Sequence, residues 1–123
     1  MGGGSGVVPL MAMLRSRRAR HLDVPLHLVV SARSREDLLY ADEYGDETTV
    51  VLTRAVPDGF ARPPGRLVLA DLVAPVRALG ADAEGGADVY VCGSTGFAGS
   101  AERLLVEAGV PAGSIRVERF GPS

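Results

Sequence analysis

Apolar residues in this chain come in short runs, separated by polar, glycine-rich or proline-rich stretches, and the period inside the runs alternates between helical and extended. Val8 to about Arg20 reads as a helix, with Leu10, Met11 and Leu14 on one face and Arg15, Arg17 and Arg18 turned largely to solvent. Leu26 to Ser31 is a nearly continuous apolar run, the pattern of a strand covered on both faces. Ser34 opens a short helix with Asp37 as its capping acid, and the β-branched run Thr48 to Thr53 is a second strand. The prolines and glycines between Arg54 and Gly65 mark a loop. A helix is expected from Arg66 to about Val73, ended or kinked by Pro75. Small and acidic residues from Gly80 to Gly86 form a turn. A third strand runs from Asp88 to Cys92, a helix from Thr95 to Ala108 stops at Gly109 and Pro111, and Ser114 to Phe120 closes the chain as a strand.

Strands alternating with helices predict an α/β fold: a parallel sheet with helices on both faces, in one domain over residues 1–123. The glycine cluster Gly2-Gly3-Gly4-Ser5-Gly6 opens the first helix, yet only Met1 stands before it. In a nucleotide-binding α/β unit such a turn follows a strand, so the expectation is a domain lacking its first strand.

Composition narrows the chemistry. Apolar residues make up 46% of the chain and the formal charge is −2, which fits a globular protein and gives no reason to expect nucleic acid as a partner. No apolar run is long enough to span a bilayer, so no membrane association is expected, and the opening residues lack a basic leader, which points to the cytoplasm. The lone Cys92 cannot form an internal disulfide, and neither His21 nor His27 has a second ligand at metal spacing. All 13 basic residues are arginine. A P-loop lysine and Schiff-base chemistry are therefore excluded, and phosphate must be held by arginine, hydroxyls or backbone amides.

Gly4-Ser5-Gly6 ahead of Pro9 is the first chemical signal. It reads either as a turn that brings backbone amides and a helix N-terminus to a pyrophosphate, or as a flexible glycine-rich start. The second is Cys92-Gly93-Ser94 with Phe97, at a strand-to-helix junction where α/β folds place their ligands. Cys92 by itself equally suits a small buried residue at a strand end. A phosphatase loop would need arginine at position 98, which is Ala98, and neither glycine–serine cluster has the spacing of a nucleophile elbow. The third is the ending Glu118-Arg119-Phe120, whose ring either sits at a site mouth or closes the core.

In this order and spacing the three segments resemble the ferredoxin–NADP reductase superfamily, specifically the NAD(P)-binding domain of bacterial flavin-dependent oxidoreductases. Gly3 through Pro9, Cys92 through Phe97, and Glu118 with Phe120 carry the likeness, and Ser31-Ala32-Arg33 with Leu39, Tyr40 and Glu43 add to it. The resemblance implies a strand order 3-2-1-4-5 and an NAD(P)H-binding module passing hydride to a flavin. Gly4, Ser5 and Gly6 would face the pyrophosphate and its ribose. Cys92 and Gly93 would lie beside the nicotinamide, with Ser94 and Phe97 in the same segment, Glu118 in the polar cluster around the ring, and Phe120 near the flavin.

Ser31 and Arg33 stand where an NAD-selective fold usually carries an acid, which favours NADP over NAD, with Arg54 a possible helper. The flavin-binding barrel of the family is not in this sequence, so FAD is expected on a separate domain or subunit. Without strand one, the flanking strands would present apolar edges open to aggregation or strand donation. Arg15, Arg17, Arg18 and Arg20 form either a solvated helix face or a dock for an acidic electron-transfer protein. A non-catalytic nucleotide-binding subunit and a non-functional gene fragment are the competing readings.

Overall fold

The computed structural model describes residues 1–121. It contains a parallel five-stranded sheet in the order β3-β2-β1-β4-β5. In chain order the elements are β1 (Gly2–Gly3), α1 (Val7–Ala19), β2 (Leu28–Ala32), β3 (Thr48–Leu52), α2 (Leu69–Ala78), β4 (Val89–Gly93), α3 (Thr95–Glu107) and β5 (Ile115–Arg119).

Side chains of a strand alternate between the faces of the sheet, and here that alternation builds two cores. Val29, Val51 and Val91 face α2 and α3, where they meet Leu72, Val76, Ala98, Ala101 and Leu105. Leu28, Val30 and Cys92 face α1 and meet Val7, Leu10, Met11 and Leu14. The continuous apolar run of β2 follows from this burial on both sides. Burying a Leu or Val side chain stabilises by roughly 1.5–3 kcal/mol, so these two layers hold the helices in place.

The strand expected to be absent is present as a stub. Gly2 pairs with Val30 of β2 and with Cys92 of β4, and Gly3 pairs with Ser31, so these two glycines occupy the central position of the sheet. Met1 extends the stub. Its carbonyl accepts from Cys92 N–H at 2.9 Å, and its terminal amino group donates to the Tyr90 carbonyl at 2.6 Å.

Two local expectations are corrected. No α-helix begins at Ser34. Arg35–Asp37 forms a single 3₁₀ turn, and the Ser34 hydroxyl donates to the Asp37 carboxylate at 3.0 Å, so the two side chains satisfy each other and leave the backbone uncapped. Pro75 does not end its helix but lies inside α2. The bond it forgoes is the one to Asp71, in the first turn, and burial of Leu72 and Val76 on either side of that point holds the helix together.

Candidate functional site

The carboxyl ends of the central strands carry the site, and the glycine turn is its floor. Gly4–Gly6 forms a 3₁₀ turn that leads directly into α1. Gly4 has φ 57°, in the left-handed region, and a Cβ added there would meet nothing within 4 Å, so its backbone is open to a ligand. Gly6 is glycine for another reason. A Cβ at Gly6 would lie 2.2 Å from the Cys92 carbonyl oxygen, so only glycine lets α1 pack this closely on β4. Pro9 falls in the first turn of α1, where an N–H has no partner within the helix.

The β4–α3 junction packs against that turn. The Phe97 ring fills the space beside Gly3 and Gly93, and a Cβ on either glycine would lie 2.7 Å from it. Ser94 caps α3, its hydroxyl accepting from Phe97 N–H at 3.2 Å. The end of the chain is tied to the same junction. Phe120 N–H donates to the Gly93 carbonyl at 2.8 Å, and the Thr95 hydroxyl donates to the Gly121 carbonyl at 2.7 Å.

Together these segments enclose a cleft of about 510 Å³ lined by Gly3, Gly4, Ser5, Ser31, Ala32, Arg33, Asp37, Thr53, Ser94, Phe97 and Phe120. Of the site residues expected from sequence, Gly4, Ser5, Ser31, Arg33, Ser94, Phe97 and Phe120 meet in this cleft. Gly93 does not line it but packs against Gly3 and Phe97, which do; Gly6 packs against Cys92 and Gly93, and Pro9 lies in the first turn of α1, both outside it. Cys92 and Glu118 do not line it. Cys92 is buried in the cluster beneath α1, and burial pushes its thiol up from the ordinary range, with Glu118 adding to the effect. The side chain is thus held as a neutral thiol at neutral pH. Glu118 pairs with Cys92 in the sheet register but is exposed.

Asp37 and Thr53 were not expected in the site. Asp37 reaches the cleft because its turn folds back over the end of β2, and Thr53 because β3 ends beside β2. An acid shortly after the second strand was the available signal for Asp37. Nothing in the sequence marks Thr53. Among the described residues no group of His, Cys, Asp and Glu could hold a metal ion.

The basic residues of α1 are engaged within the molecule. Arg15 makes a two-pronged contact with the Glu43 carboxylate at 2.9 and 2.6 Å and stacks over the Tyr40 ring at 4.8 Å. Arg18 pairs with Glu47 and Arg17 donates to the Val24 carbonyl at 2.6 Å. The helix face therefore carries its own counter-charges, which weakens the reading of this cluster as a dock for an acidic protein.

A glycine turn at the carboxyl end of a central parallel strand, facing a second strand-to-helix junction, defines a dinucleotide-binding α/β domain. Residues 1–103 match the family model described as the oxidoreductase NAD-binding domain, and the chain belongs to that family. It is similar to the reductase component of propane 2-monooxygenase from Rhodococcus jostii (strain RHA1), at 29% identity over 98% of this chain and 34% of the relative. The FAD/NAD-binding domain of a nitric oxide dioxygenase from Vibrio cholerae O1 biovar El Tor superposes with a TM-score of 0.79 at 23% identity, over 98% of this chain and 49% of that one. An Amycolatopsis cytochrome P450 reductase superposes with a TM-score of 0.68 at 23% identity, over 98% and 36%. The two structures share the fold. The chain spans about a third of the length of the curated relative and half or less of the structures. No helix among the described residues is long and apolar enough to cross a membrane.

Proposed function

We propose that the chain binds NAD(P)H in the cleft and presents its nicotinamide to a flavin, FAD, held on a separate domain or subunit. The observation that carries this reading is the convergence in one cleft of the open Gly4 turn, the Ser94 cap and the Phe120 ring. Gly4 and Ser5 suit the pyrophosphate. An extended anion approaches the open Gly4 backbone, while the N-terminus of α1 adds its dipole and the Ser5 hydroxyl a donor. The flavin, when bound, supplies the hydride acceptor. The chain supplies position. Gly93 and Phe97 hold the nicotinamide end, Phe120 covers the mouth and yields to the ring, and Cys92, buried behind Gly93, positions that backbone rather than touching the cleft.

Cofactor choice belongs to Ser31 and Arg33. A guanidinium and a hydroxyl beside one another suit the 2′-phosphate of NADP. A second reading rests on Asp37, which lines the same cleft and whose carboxylate, beyond its bond from the Ser34 hydroxyl, suits the free ribose hydroxyls of NAD. Calorimetric titration with NADPH and NADH, repeated on Arg33→Ala and Asp37→Asn, separates the two. Under the first reading Arg33→Ala weakens NADPH at least tenfold and NADH less than twofold. A selective loss of NADH in Asp37→Asn establishes the second. Binding of neither dinucleotide sinks the proposed function. The FAD/NAD-binding domain of the nitric oxide dioxygenase supports FAD on a separate domain, and the assembly would act as a cytoplasmic reductase that passes electrons to a further protein.

A further inference from the structure

The two outer strands of the sheet differ at their free edges. At β3 the proline-rich loop folds back, and the Leu52 carbonyl accepts from Gly65 N–H at 3.1 Å. β5 carries no such cover among the described residues. Phe120 N–H points to β4, where it donates to the Gly93 carbonyl. Successive residues of a strand turn their N–H and C=O groups in opposite directions, so Arg116 and Glu118 also bond β4. Ile115, Val117 and Arg119 therefore turn theirs outward, where no described backbone group meets them.

The side chains of β5 fall on two unlike faces. Ile115 and Val117 pack against the core beneath α2 and α3, and Arg119 pairs with Glu102 of α3 at 3.5 Å. Cys92 faces α1 and Glu118 is its partner in the register, so Glu118 and Arg116 stand on the α1 side of the sheet. Both are exposed, and neither makes an ion pair among the described residues. Charges on an edge strand ordinarily keep another strand away. These two, of opposite sign and two residues apart, complement a two-fold mate instead.

We propose that β5 pairs with β5 of a second copy, antiparallel about a two-fold axis at Val117, so that the two sheets join edge to edge. The outward groups set the alignment. Val117 meets Val117 of the second copy as a hydrogen-bonded pair, and Ile115 meets Arg119 in the same way. Arg116 then lies directly opposite Glu118 of the second copy, at the closer spacing of about 4.5 Å between Cα atoms. Symmetry repeats this ion pair on the other side of the axis. A shift of two residues either way would set Glu118 against Glu118 or Arg116 against Arg116, so the charges select one register.

α3 adds an apolar contact at the axis. Val106 is 50% exposed and lies one turn after Glu102, on the flank that the bond to Arg119 holds over β5. Four residues of helix rise about 6 Å, and the two residues from Arg119 back to Val117 span about 6.6 Å. Val106 therefore stands level with Val117, and the Val106 side chains of two copies approach across the axis.

The inference is independent of the nucleotide reading, because no residue of β5 lines the cleft. Sedimentation equilibrium of the full chain, from low to high micromolar concentration, should show a monomer–dimer transition. By NMR the Val117 amide should exchange at least tenfold more slowly in the dimer, while that of Glu118, already bonded to β4, changes little. Arg116→Glu and Glu118→Arg each set like charges opposite one another and should weaken dimerisation at least tenfold. Mixed in equal amounts, these two variants restore opposite charges and should associate within threefold of the parent. Val106→Glu should also weaken the dimer, with an unchanged melt at low concentration showing that the monomer is folded. A parent that stays monomeric overturns the proposal, as does a dimer indifferent to both charge variants or a mixture that fails to associate.

Discussion

Phe120 N–H donates to the Gly93 carbonyl at 2.8 Å, so the last aromatic of the chain is fixed to the junction of β4 and α3. The ring is 41% exposed and makes part of the cleft wall, so it is held in place by the backbone rather than by the core. Phe120→Ala should therefore cost little stability, within about 0.5 kcal/mol, the usual range for surface changes. It should tighten nucleotide binding at least threefold, because the ring no longer has to yield. Unchanged or weaker binding, measured by calorimetry, would show that the ring is a wall and not a cover.

Two glycines, one in the turn and one in α3, separate a close backbone approach from open space. Gly6→Ala forces a Cβ to 2.2 Å from the Cys92 oxygen, and backbone atoms cannot move away cheaply. A loss of at least about 3 kcal/mol is expected, at the upper end of what overpacking costs. Gly99→Ala in α3 meets open space and should stabilise by about 0.5–1 kcal/mol through better helix propensity. Urea melts of both variants check the pair; equal stabilities would mean that α1 does not seat on β4 as described.

Arg62 binds Asp71 through two bonds of 2.7 and 2.9 Å and also donates to the Pro63, Gly65 and Arg66 carbonyls, which staples the proline-rich loop to the start of α2. Both side chains are mostly buried. Arg62→Ala should cost about 2–3 kcal/mol, since a carboxylate is left without its partner. Proteolysis within residues 54–68 should rise with it. Cleavage and melting like the parent's would show the ion pair to be dispensable.

Asp71 makes stability fall on acidification. Burial opposes its ionisation, yet the Arg62 hydrogen bond holds its carboxyl below the ordinary range, so its contribution is present above the ordinary carboxylate range and is lost as pH falls through the folded value. Urea melts of the parent and of Arg62→Ala from neutral to acidic pH check the assignment. The stability gap between the two should shrink as pH falls; a gap that does not change with pH would place the contribution elsewhere.

Much of this was legible in the sequence, for identifiable reasons. β2 is buried on both faces, so its apolar run is continuous and easy to read. Gly4, Ser94 and Phe120 lie at element ends, which sequence punctuation marks. β1 was illegible because Gly2 and Gly3 carry no side-chain pattern; position between two strands makes them a strand. Asp37 and Thr53 join the cleft through the neighbouring of β2 and β3, which is a property of topology and not of spacing. Cys92 does not line the cleft, because the alternation of β4 turns its thiol into the α1 layer, a placement that the position of its neighbour Gly93 does not reveal.

Amide chemical-shift mapping of the full chain with NADPH and with NADH tests the central claim most directly. The account expects saturable shifts concentrated at Gly4, Ser5, Ser31, Arg33, Ser94 and Phe120, with the amides around Val29 and Tyr90 at the far end of the sheet unmoved. No saturable shift with either dinucleotide, or shifts centred away from the Gly4 turn, would contradict it.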